Sequence, residues 1–369
     1  MSLEESIILQ NIKEVCKKIS ENATKVDSEG RFPRENFDLL ASQGYMGAFI
    51  PKPYGLELSH KLFVSIVKEI AKACASTAWI YVTHCAATHS FVSTANEKQK
   101  ENYLPKISNG KIINLAQTEN TTGAGLTGIE TTAKKVGNYY ILNGSKNFIT
   151  AAHGADIFII IAKNLELKEQ FPKNLSGFIV EKGMSGFEIG QRYDSMGMRG
   201  IGWGEIILND CKVPEENILQ DGIKAINSGG HVGMLGASTI AFALAEAAYE
   251  TCKNHLKQRI IAGQALGQRE GVRAVFSEMA TALEAIKHMI EFGIDALKRD
   301  SYPDLLKVKN FVTENALIII DKSMRLTGAH GYSKLLPLER YYRDARATLL
   351  HFQTLELGKN ILGGIAQNI

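Results

Sequence analysis

The residue types best able to do chemistry begin in one stretch, Asn114 to Thr150. It reads Asn114-Leu-Ala-Gln-Thr-Glu119, bends through a polar, glycine-rich segment to Gly128, passes Thr131-Thr-Ala133 and ends Tyr139-Tyr-Ile-Leu-Asn-Gly-Ser-Lys-Asn-Phe-Ile-Thr150. Alternating apolar positions with turn signals at Gly137-Asn138 and Asn143-Gly144 predict strands and hairpins in a mostly helical chain. Phe148 and Thr150, two apart on such a strand, are expected on one side of it. The bend spells G-x-G-x-x-G at Gly123, Gly125 and Gly128. A dinucleotide fingerprint needs a helix after the last glycine. Another strand pattern follows instead, so the Rossmann reading fails.

Three histidines are candidates for proton transfer. His84 and His89 fall in Ser76 to Thr94, a run apolar all round that reads as a buried helix. In that setting a histidine is more often a satisfied core residue than a catalyst. His351 follows Arg343-Asp-Ala, and its ordinary pKa suits proton abstraction near neutrality; a helix-packing imidazole is the competing reading.

Ala116-Gln-Thr-Glu119 with Gly123, then Leu142-Asn-Gly-Ser-Lys-Asn-Phe-Ile-Thr150, resembles the flavin-binding β-domain of the acyl-CoA dehydrogenase family. The family's first motif runs Thr-Glu-Pro-x-x-Gly-Ser-Asp and its second ends Trp-Ile-Thr. This chain keeps Thr118, Glu119, Gly123, Ile149 and Thr150 and has Phe148 for the tryptophan. Asn120, Ala124 and Gly125 replace the proline, serine and aspartate, which weakens contacts on the thioester side, where Ala124 is the substrate-side position. An isoalloxazine needs an apolar face and donors aimed at its edge atoms. The resemblance gives Phe148 the ring face, Thr150 a bond towards N5, and Gln117 and Thr118 the pyrimidine edge. An ordinary strand also holds a buried Phe and a β-favouring Thr.

The resemblance continues through Met196-Gly-Met-Arg-Gly200 and Cys211-Lys-Val-Pro-Glu-Glu-Asn217. Gln258-Arg259-Ile-Ile-Ala-Gly263 is similar to the family's Arg-x-x-Phe-Gly turn, whose arginine meets the flavin pyrophosphate of a neighbouring subunit, and a guanidinium fork suits a diphosphate. Arg325-Leu-Thr-Gly-Ala-His-Gly331 is similar to Gln-x-x-Gly-Gly-x-Gly, with Arg325 either a second pyrophosphate ligand or a solvated helix end. Thr354 and Glu356 match flavin contacts. The family's proton-abstracting glutamate aligns with Phe352, a position that would also fill part of the acyl pocket, and the alternative base position aligns with Gly233. Three readings stay open: a base moved to a neighbour such as His351, a reduced-flavin monooxygenase of the same fold, or a non-catalytic subunit of a mixed oligomer.

These residues must be positioned by 369 residues, enough for two or three packed subregions. Residues 1–113 read as helices, with Ser59 as a cap and Pro33 opening a short helix; 114–218 as short strands forming a small barrel or sandwich; 219–369 as long helices of a four-helix bundle. The expected fold is therefore α+β, and the resemblance makes it acyl-CoA dehydrogenase-like. A net charge of +3 without basic runs gives no footprint for nucleic acid. Five scattered cysteines argue against zinc or a disulfide framework. No signal-peptide pattern and no membrane-length apolar run is read, so a cytoplasmic protein is expected. The resemblance implies FAD, an acyl thioester on coenzyme A or a carrier protein, an electron-transfer flavoprotein as partner, and a homotetramer or dimer.

Overall fold

A computed structural model describes residues 3–123, 125 and 127–367. Five helices come first: α1 (Leu3–Glu29), α2 (Arg34–Ser42), α3 (His60–Ala73), α4 (Ala75–Thr94) and α5 (Glu97–Ser108). The Ser59 hydroxyl accepts from Leu62 N at the start of α3, satisfying one of the donors a helix leaves free. In α4 every residue from Ala75 to Thr88 is buried. A helix apolar all round has no solvent face, and this one lies between α3, α6 and the sheet.

Eight strands follow: β1 (Ile113–Ala116), β2 (Thr132–Val136), β3 (Tyr139–Ile149), β4 (Ile157–Asn164), β5 (Leu175–Glu181), β6 (Phe187–Arg192), β7 (Gly204–Pro214) and β8 (Ile218–Leu219). They form one sheet in the order β6-β7-β3-β2-β4-β5-β8, with β1 also on β4. β1 and β2 run parallel to β4 on successive parts of it: Ala116 pairs with Ile160 and Thr132 with Lys163. The chain thus leaves the edge of β4 after Ala116 and rejoins it at Thr132, and residues 117–131 form an excursion from the sheet. No helix follows Gly128, as the failed dinucleotide reading requires.

Two local expectations are corrected. Asn143-Gly144 is no hairpin turn: β3 runs through it, and the signal reports a bulge against β7, with Gly144 at φ 143° where only glycine is comfortable. A second irregularity lies between Lys146 and Ile149, and Phe148 adopts φ 57°. Strict alternation from Phe148 to Thr150 therefore does not hold.

The remaining chain is α6 (Gly222–Gln258), a short hairpin of β9 (Ile260–Ile261) and β10 (Gln264–Ala265), then α7 (Glu270–Lys298), α8 (Tyr302–Thr327), α9 (Ala329–Tyr332), α10 (Leu338–Ala347) and α11 (Leu355–Gln367). Helix α6 packs on α4, α7 and α8. Its glycines permit this: a Cβ on Gly236 would collide with Val82, and one on Gly229 with Ser90 of α4. By length and composition α6 is apolar enough to cross a membrane, contrary to the expectation that no run is. Its apolar window is 83% buried within the protein, so burial in the core accounts for the composition.

Candidate functional site

A cavity of about 490 Å³ lies where the end of the sheet meets α4, the first half of α6 and the segment before α11. Its β-side wall is Asn114 to Asn120 with Phe148, Ile149 and Thr150. Backbone tethers set this wall. Asn147 N donates to Thr118 O at 2.8 Å, Lys146 Nζ reaches Gln117 O at 3.3 Å, and the Asn114 amide donates to Thr150 O. Beneath it the Glu119 carboxylate is buried and accepts from Lys146 Nζ at 2.5 Å, Thr131 Oγ1 at 2.7 Å and Glu130 N at 2.6 Å. Burial alone would raise the Glu119 carboxyl, but the Lys146 ammonium and the Thr131 hydroxyl outweigh it and hold the group below its usual range.

Aromatic rings supply the cavity's flat surfaces. Phe148 lies 4.6 Å from Tyr193 and 5.1 Å from Trp203 between ring centroids, and Trp203 Nε1 donates to Phe148 O at 2.6 Å. Trp79 lies 5.7 Å from Phe352, and its Nε1 donates to Thr150 Oγ1 at 3.2 Å. A hydroxyl has one proton to give. Because Thr150 accepts from Trp79, its own proton is left to aim at a cavity occupant.

The opposite wall is Leu350 to Thr354. Phe352 and Gln353 have φ 50° and 83°, left-handed values that cost non-glycine residues of order 1–3 kcal/mol each. Lys309 of α8, fully buried, holds this bend by donating to Leu349 O at 3.2 Å and Gln353 O at 2.5 Å. Burial pushes Lys309 down to about 8. His351 lines the cavity, its ring centroid 4.8 Å from that of Trp79 and 5.9 Å from that of Trp203. Burial, with the nearby Lys309 charge, pushes it down to about 4, so it is a neutral ring at physiological pH. Phe352 packs against Gly233, where an added Cβ would collide with its ring.

The structure thus brings Gln117, Thr118, Phe148, Thr150, His351, Phe352 and Thr354 to one cavity, with Gly233 directly behind Phe352. Arg259, Arg325 and Glu356 are exposed and do not line it. Ala124 lies outside the described residues. His84 is the core residue expected: Nε2 meets Met46 O at 2.8 Å and Nδ1 accepts from Ile113 N. His89 packs edge-on to Phe49 and does not line the cavity.

Sequence reasoning missed Trp79, Trp203, Lys309 and His231. Trp79 was absorbed into a buried helix. Lys309 falls four residues after Leu305 and three before Val312, in line with the apolar stripe of its helix, and that position carried the signal of a buried charge with a task.

A flavin fits these walls: faces of Phe148, Trp79 and Trp203 for a planar ring, and Thr150, Gln117, Thr118 and Thr354 as polar edge partners. Residues 2–111, 114–211 and 220–360 match the models of the acyl-CoA dehydrogenase N-terminal, middle and C-terminal domains in that order. The chain is similar to an acyl-CoA dehydrogenase of Bacillus subtilis, 30% identical over 94% of this chain and 95% of the relative. It is 32% identical to an acryloyl-CoA reductase (NADH) of Anaerotignum propionicum, over 92% and 88%. A chain solved in work on the electron-transferring flavoprotein of Acidaminococcus fermentans superposes with a TM-score of 0.94 at 26% identity, covering 100% of this chain and 99% of that one. With a fold, a flavin-shaped cavity and three matching models in agreement, this chain belongs to the acyl-CoA dehydrogenase family of FAD-dependent oxidoreductases.

Proposed function

We propose that the protein interconverts a saturated acyl thioester and its α,β-unsaturated form, without a glutamate at either of the family's base positions. The observation that carries this is the pairing of a flavin-compatible β wall with an adjoining pocket that continues between α4 and α6. Bound FAD would supply the two-electron acceptor. Phe148 and Trp203 would exclude water from its face, while Thr150 and Gln117 would orient it. The floor at Thr83, Ala86, Ala87, Ser90 and Gly229 leaves room for the acyl group. Phe352 lies on Gly233, so the two positions that by resemblance hold the carboxylate fill each other's space.

Relatives named as dehydrogenase and reductase support thioester redox chemistry over the monooxygenase and non-catalytic readings. They support a coenzyme A thioester over an unspecified carrier. The Acidaminococcus structure supports an electron-transferring flavoprotein as redox partner. Arg259, next to the exposed Ile260 and Ile261, and Arg325, exposed in the last turn of α8, suit the pyrophosphate of a cofactor held across an interface between copies, in a homotetramer or dimer. The three family matches support three parts at 1–113, 114–218 and 219–369; our reading makes the last a four-helix bundle and the protein cytoplasmic.

The test is the visible spectrum of the purified protein mixed anaerobically with propionyl-, butyryl-, isovaleryl- and 3-phenylpropionyl-CoA. Loss of the oxidised-flavin band with one of them is expected. A flavin-loaded protein that none of them bleaches, and that no enoyl-CoA reoxidises after chemical reduction, sinks the proposal.

A further inference from the structure

The assignment made here rests on the dehydrogenase reading above, which leaves the α-proton without an acceptor. Among the described residues lining the cavity, Glu119, His351 and His231 are the carboxylate and imidazoles. Glu119 is committed to Lys146, Thr131 and Glu130 N, and His351 is held between two tryptophans. His231 is differently placed. It projects from the first half of α6, its Nδ1 lies 2.5 Å from Asp300 Oδ1, and its ring stacks on Tyr302 at 5.9 Å. Asp300 sits between α7 and α8 with φ 53°, a left-handed value that aspartate adopts more readily than most side chains. A carboxylate on Nδ1 selects the tautomer with its proton there and leaves the Nε2 lone pair free. Among the described residues Nε2 has no hydrogen-bond partner.

We propose that His231, oriented by Asp300, is the base that takes the α-proton of the thioester. The α C–H bond breaks with its proton passing to Nε2. The electron pair left behind becomes the C=C bond as the β C–H bond breaks and its hydride leaves to FAD, the oxidant. Asp300 stabilises the imidazolium formed. The titratable groups facing His231 are Asp300 from the α7–α8 turn, Tyr302 from α8 and His89 from α4. Of these the carboxylate is the one in hydrogen-bond contact with the ring.

The experiment separates proton abstraction from oxidation. 3-Thiabutyryl-CoA carries sulfur at the β position, so its α-proton can leave but no hydride can follow. The holoenzyme is incubated with it in D2O, and deuterium at the α-carbon is read by mass spectrometry. His231→Gln, with FAD content and melting temperature retained, should slow exchange by ~10²-fold or more. Asp300→Asn should slow exchange by ~10-fold, because the ring loses the carboxylate that fixes its tautomer, and Asp300→Glu should restore part of the rate. Undiminished exchange in His231→Gln overturns the assignment, as does undiminished exchange in Asp300→Asn. If His231→Gln does not fold, the Asp300→Asn and Asp300→Glu rates decide alone. Wild type that bleaches with a panel thioester while His231→Gln bleaches equally fast overturns the base and leaves the dehydrogenase standing. Wild type that neither bleaches nor exchanges removes both.

Discussion

The two walls of the cavity are built by different means. The β side is fixed by main-chain bonds and one buried ion pair, so Gln117, Thr118, Phe148 and Thr150 take their places from the register of β3 and the Glu119 clamp. The helical side depends on single side chains reaching between elements: Lys309 from α8 to the bend before α11, and Asp300 from the α7–α8 turn to α6. A wall made of backbone tolerates side-chain change. A wall made of long-range side-chain bonds can be rebuilt one residue at a time, and there Phe352 packs directly on Gly233.

The largest effect is expected from breaking the clamp. Lys146→Met strands the buried Glu119 carboxylate and should cost about 3–5 kcal/mol, read by urea unfolding, with FAD retention lost alongside. Glu119 is held below its ordinary value, so its contribution is present above the unfolded-state pKa of about 4.3 and fades as pH falls through the folded value. The variant should show a flatter acid limb of stability. A cost under about 1 kcal/mol would mean that the main-chain tethers suffice without the pair.

Lys309→Met is next, at about 2–3 kcal/mol, because it leaves the Leu349 and Gln353 carbonyls buried without donors. Its pH signature has the opposite sense. Folded Lys309 titrates near 8, against about 10.4 in the unfolded chain, so between those values the unfolded state binds the extra proton and stability rises with pH. The wild type should carry a component of that rise that the variant lacks, measurable by denaturation from pH 7 to 10.5.

How much of this was legible follows the same division. Strand alternation, Thr118-Glu119 and Phe148-Ile149-Thr150 mark the β wall in consecutive residues, because a strand's neighbours are set by local period and turn chemistry. The Lys146–Ile149 irregularity was hidden, since a bulge changes register without changing composition. On the helical side, 69 positions separate His231 from Asp300 and 40 separate Lys309 from Leu349. Only tertiary packing unites them. His84, a helical residue read correctly from its setting, is one whose partners merely satisfy it.

A finer cut compares Phe352 and Gly233 with each other. Gly233→Ala alone should destabilise by about 1–3 kcal/mol through collision with the Phe352 ring. Combined with Phe352→Ala the penalty should largely vanish, giving a coupling of about 1–2 kcal/mol in a thermal double-mutant cycle. Additive effects would show that the ring moves aside freely. The smallest change is Trp79→Phe, which removes the donor to Thr150 while keeping an aromatic wall. It should cost about 1 kcal/mol and shift the flavin spectrum by releasing the hydroxyl's orientation.

The excursion between β1 and β2 has a consequence for how such a protein can diversify. Both its ends are stitched to β4, at Ile160 and Lys163, so the sheet closes beneath it whatever its length. Only the stretch between Glu119 and Glu130, the two residues tied together in the Lys146 clamp, is therefore a detachable cassette. A lineage can lengthen, shorten or recompose the cover over the pocket's rim, and so trade one guest for another, while the scaffold below is inherited unchanged.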